Sequence, residues 1–77
     1  MSVMIFKIEI EQEEDGRWLA EIPELSGVML YGKTPEEATT RVQALALRVI
    51  AERLENGETQ PELLNVTFNR EWLDGVI

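Results

Sequence analysis

From Met4 to Ile10 the chain alternates: Met4, Phe6, Ile8 and Ile10 fall on one side, and Ile5, Lys7, Glu9 and Glu11 on the other. Period two with β-branched residues predicts a half-buried strand. Gln12-Glu13-Glu14 leads into Asp15-Gly16, and an Asp-Gly pair between alternating runs predicts a hairpin, because glycine accepts the positive φ of the turn. Arg17 to Ile22 then reads as a second strand, with Trp18, Ala20 and Ile22 on one face and Arg17, Leu19 and Glu21 on the other. Pro23 lacks a ladder donor and ends it. After the turn Glu24-Leu25-Ser26-Gly27, the apolar run Val28 to Tyr31, punctuated by Gly32, predicts a third strand.

Thr34-Pro35-Glu36-Glu37 has the form of a helix start. Threonine suits the N-cap, proline the first helical position, and a glutamate three residues after the cap completes a capping box. The helix is predicted to run to about Asn56, where Asn56-Gly57 supplies the stop. Ala38, Val42, Leu45, Ala46, Val49 and Ile50 recur at helical spacing and form the stripe expected to be buried. Leu47 and Leu54 lie off that stripe; the margin of a wide apolar face is the ordinary reading and a second contact surface the alternative. Beyond a polar loop at Glu58–Glu62, Leu63 to Phe68 reads as a fourth short strand with Leu64, Val66 and Phe68 on one face. The tail from Asn69 carries Trp72, Leu73, Val76 and Ile77, too apolar for a solvated end, and is expected to dock on this domain or on a second copy. With no repeat or linker, residues 1–77 form one domain of α+β class, a β-β-β-α-β order with an antiparallel-led sheet and one helix packed on a face.

Composition narrows the function. Cysteine and histidine are absent, which removes the thiolate nucleophile, the commonest general base and the usual soft metal ligands. A chain of 77 residues builds a marginal core, and without disulfides an oligomer is the remaining support. The net charge of −8 disfavours direct binding to nucleic acid and favours a basic protein partner. The amino terminus lacks the features of a signal peptide, and no apolar run is long enough for a membrane span, so the cytoplasm is the expected location.

Two-metal hydrolysis needs several carboxylates on neighbouring strands. Glu9, Glu11 and Glu21 are the only candidates this pattern offers, and a solvated sheet face explains them more simply. No serine, threonine or lysine has a base beside it in sequence. No catalytic residue, cofactor site or metal site is therefore expected, and the chain reads as a binding protein rather than an enzyme.

The ordered set Asp15-Gly16-Arg17-Trp18-Leu19-Ala20-Glu21-Ile22-Pro23-Glu24-Leu25-Ser26-Gly27, followed by Gly32-Lys33-Thr34-Pro35-Glu36-Glu37-Ala38, resembles the HicB family of antitoxins. Asp15, Gly16, Pro23, Gly27, Gly32, Thr34 and Glu37 carry the resemblance as structural positions. Ser26 and Lys33 depart from it, where a proline and an acid are common. The resemblance implies a partial RNase H-like fold. It also implies binding to a small basic HicA-type toxin, an mRNA-cleaving protein whose active site the antitoxin masks. Many members carry a carboxy-terminal DNA-binding domain; the residues after this helix are too few for one, so a short stand-alone member without direct operator binding is expected.

For such a partner the acidic residues Glu11, Glu13, Glu14, Asp15 and Glu24, with Trp18 and Tyr31, are the candidate contacts; the other reading of Trp18, and the favoured one, is a core residue packed under the helix. Trp72, Leu73, Val76 and Ile77 are the candidate contacts in a homodimer or higher homo-oligomer. The alternative reading is an orphan homo-oligomeric interaction or small-ligand module of the same fold, without a toxin.

Overall fold

A computed structural model describes residues 2–58 and 63–73. The order is β1 (Ser2–Gln12), β2 (Trp18–Glu21), β3 (Met29–Gly32), α1 (Pro35–Glu55) and β4 (Leu63–Trp72), the β-β-β-α-β arrangement of the α+β class. The strands form one mixed sheet in the order β3-β2-β1-β4. β2 pairs antiparallel with both β1 and β3, whereas β4 runs parallel to β1. A parallel neighbour cannot be reached by a tight turn, and α1 is the crossover that carries the chain from β3 past β2 and β1 to the far edge.

The hairpin between β1 and β2 closes where Asp15-Gly16 predicted it. Gly16 adopts φ +92° and donates to Glu13 O at 2.9 Å, while Glu13 N–H donates to Arg17 O at 2.7 Å. The cap of α1 is also as read, with one difference. Glu37 N–H donates to Thr34 Oγ1 at 3.0 Å, but the Glu37 carboxylate reaches back one residue further than a capping box requires and accepts from Lys33 N–H at 2.9 Å. Asn56 caps the other end, with Gly57 N–H donating to Leu54 O and Glu58 N–H to Arg53 O.

Cross-strand partners share a face of the sheet, and the register therefore assigns both faces. Phe6, Ile8 and Ile10 of β1, Trp18 and Ala20 of β2, Leu30 and Gly32 of β3, and Val66, Phe68 and Trp72 of β4 all lie on the helix side. The helix adds Ala38, Val42, Ala46 and Ile50, with Leu45 and Val49 partly buried, as the stripe predicted. Ile22, Leu25 and Val28 close the core at the β2–β3 loop, where Ile22 N–H donates to Val28 O at 3.0 Å. Fully burying one such aliphatic side chain contributes about 1.5–3 kcal/mol. Helix and sheet meet closely at Gly32, where a Cβ would lie 2.5 Å from Ala38 N.

Two expectations need correction. Leu47 and Leu54 do not widen the buried face: Leu47 is 52 % exposed and Leu54 40 %. The helix seats chiefly on β3 and β2 and less on β1, so its far flank has no sheet pressed against it. The fourth strand is longer than its apolar alternation suggested. It continues through Asn69, Arg70 and Glu71 to Trp72, because parallel pairing to β1 runs on to Ile10↔Trp72 whatever the polarity of the outward residues. Leu73 N–H then donates to Ile10 O at 2.8 Å. The first half of the presumed tail is thus a strand of this domain; Val76 and Ile77 lie outside the described residues.

Candidate functional site

Among the described residues no element covers the face of the sheet away from α1. Ile5, Lys7, Glu9 and Glu11 of β1, Leu19 and Glu21 of β2, Met29 and Tyr31 of β3, and Thr67, Asn69 and Glu71 of β4 project there, as their register with the buried rows requires. Ile5 is 58 % exposed, and Met29 and Tyr31 are also exposed. Apolar and acidic side chains are interleaved.

The charges on this face are organised in rows. Glu21 pairs with Glu9 across β2 and β1, and Glu9 pairs with Glu71 across β1 and β4. Three carboxylates therefore stand side by side on adjacent strands. Like charges directly opposite one another destabilise a sheet by a few tenths to about 1 kcal/mol per pair. Among the described residues only Lys7 offsets the row, with Nζ 3.6 Å from Glu71 Oε2; both groups are about half exposed, so the pair is weak. The neighbouring row is Glu11, Leu19 and Tyr31. Among the described residues no group of three or more carboxylates converges to hold a metal ion; the row is spread along the strand spacing.

Next to these rows lies the hairpin tip with Glu13, Glu14 and Asp15. Asp15 is tied down: its Oδ1 accepts from Arg17 N–H at 3.0 Å and its Oδ2 from Arg17 Nε at 2.7 Å. These hydrogen bonds, the backbone one foremost, hold the Asp15 carboxyl below its ordinary value. The Arg17 guanidinium stands 4.1 Å over the Tyr31 ring. Arg17, Tyr31, Gly32, Lys33, Glu37 and Arg41 line a shallow pocket of about 230 Å³ at the β3 edge. Arg41 donates to Tyr31 O at 3.3 Å there.

The structure gathers Glu11, Glu13, Glu14, Asp15 and Tyr31 at one end of the open face. Glu24 is not among them, since its turn joins the opposite ends of β2 and β3. Trp18 is on the other side, half-buried against the core, with its ring edge-on to Trp72 at 5.8 Å. Leu19 takes the open face in its place. Trp72 is 50 % exposed and Leu73 is exposed beside it. Sequence reasoning missed Glu71, because the strand that carries it was read as ending at Phe68; the signal that locates it is backbone pairing to β1, which no alternation of side chains announces.

Comparison with protein-family models, with curated proteins and with solved structures finds no match. Among the described residues no helix is long and apolar enough to cross a membrane.

Proposed function

We propose that the chain is a HicB-like antitoxin-type domain, acting by binding in the cytoplasm rather than by catalysis, and sequestering a small basic HicA-type mRNA-cleaving toxin. The observation that supports this reading is the open sheet face. It sets exposed Ile5, Met29 and Tyr31 among the carboxylate row Glu21, Glu9 and Glu71, with Glu11 and the acidic hairpin tip alongside. A row of like charges is relieved when a cationic surface docks on it, and the interleaved apolar groups supply area that bare charge lacks.

The test is co-expression with small basic ribonuclease candidates encoded beside this chain, scored as rescue of growth. Rescue is expected for the native chain and lost when Glu9, Glu11 and Glu21 are all replaced by lysine while circular dichroism shows the fold intact. Binding that ignores both this reversal and added salt sinks the reading.

A second reading, an orphan homo-oligomeric module without a toxin, draws on a different feature, the long outer edge of β4. It needs no partner beyond the chain itself.

A further inference from the structure

The two edges of the sheet are treated differently. The β3 edge is four residues long, and Arg41 from α1 already donates to the Tyr31 carbonyl on it. Arg17 and Lys33 crowd the same rim. Short length and charge are the ordinary means by which a sheet edge is kept from pairing. The β4 edge is long, and its charges are confined to its carboxy-terminal end. It is ten residues long, and among the described residues β1 is its only partner. The stretch Val66 to Asn69 contains no charge, no proline and no glycine, and Arg70 and Glu71 cancel.

The first half of the helix-side surface flanking this edge is apolar. On the helix side β4 presents half-buried Val66 and Phe68, then exposed Arg70, whose guanidinium lies 5.3 Å over the ring of half-exposed Trp72. Arg41 marks the helix flank that faces β3. At about 100° per residue, Leu47 and Leu54 fall on the opposite flank, toward β4, and both are exposed. Parallel strand pairs are normally covered on both faces, whereas the β1–β4 pair lies at the margin of the helix.

We infer that β4 is a self-association edge, on which the β4 strand of a second copy pairs antiparallel about a two-fold axis. This rests on the homo-oligomeric reading and assigns it a specific edge. An unpaired strand edge is complementary to its own inverse, so an isologous contact satisfies both ladders at once. The local charge of the edge admits a second copy. Two copies that each carry −8 repel one another, and the uncharged centre of β4 is where that repulsion is least. A basic protein would instead be drawn to the carboxylate rows of the open face.

The chain has no cysteine, which makes single-cysteine scanning clean. Thr67→Cys and Asn69→Cys place thiols at exposed β4 positions, and Ala44→Cys places one at an exposed helix position opposite the buried stripe. Sedimentation of the full chain at micromolar concentration is expected to give a dimer. A short bis-maleimide should join the two β4 variants and leave Ala44→Cys unjoined. Thr67→Lys should weaken the dimer at least tenfold while circular dichroism stays unchanged. A dimer in which neither β4 variant cross-links overturns the edge assignment and leaves the oligomeric reading standing; a monomer overturns both.

Discussion

Lys7, Ile8 and Glu9 are consecutive along β1, yet they belong to two different environments. Ile8 is fully buried beneath α1. Lys7 and Glu9 stand on the open face, where Glu9 has a carboxylate on each side and Lys7 reaches only one of them. The pleat separates the faces by a single residue, but the forces on them differ in kind. On the helix side, exclusion of water from Ile8, Ile10, Ala20, Val42 and Ala46 sets the energy. On the open side, three carboxylates sit in register, and among the described residues no element packs over them. The first face serves stability, and the second is left in a condition that a partner would improve.

The sharpest test of this contrast uses neighbours on β1. Ile8→Ala should cost about 2–5 kcal/mol, enough to unfold much of so small a domain, whereas Ile5→Ala on the open face should stay within about 0.5 kcal/mol. Urea unfolding of both variants measures the difference, and equal losses would mean that the open face is covered. Gly32→Ala comes next. Its new Cβ would meet the Ala38 backbone, and a shift of the helix start is expected to cost about 1–3 kcal/mol. A neutral result would show that α1 slides on the sheet.

Glu9→Gln addresses the other face. Removing the central charge of the row should stabilise the free domain by up to about 1 kcal/mol at low salt, with the gain shrinking as salt is added. The same change should slow association with a basic partner. The smallest effect belongs to the hairpin tip. The folded-state value of Asp15 lies below the ordinary 3.8, so its contribution is present above that value and is lost as pH falls through the lowered one. Asp15 is fully exposed, and the contribution is screened. An NMR titration should show the Asp15 carboxyl moving back toward the ordinary value in Arg17→Ala, with the fold retained.

Much of this architecture was legible in the order of residues. The Asp15-Gly16 turn, the Thr34 cap and the stripe Ala38, Val42, Ala46 and Ile50 are local signals, and each lies where its spacing placed it. The candidate contacts were legible only in part. Glu11, Glu13, Glu14, Asp15 and Tyr31 come together, while Glu24 sits at the far end of β2 and Trp18 on the buried side. Glu71 joined the carboxylate row without any local warning. Periodicity says which residues share a face of one strand; it does not say which strands are neighbours.

The sequence by itself determined the elements, their order, the buried side of each and the acidic character of the surface, because turn chemistry, capping and amphipathic period act over a few residues. Only the tertiary structure decided that β4 lies parallel beside β1, that α1 seats over β3 and β2, and that Glu21, Glu9 and Glu71 stand in one row. Those outcomes depend on where a crossover of more than twenty residues sets down its strand. That choice is made by packing between distant segments, here the Phe6 and Phe68 rings stacked at 5.8 Å and Trp18 edge-on to Trp72, and no neighbouring residues encode it.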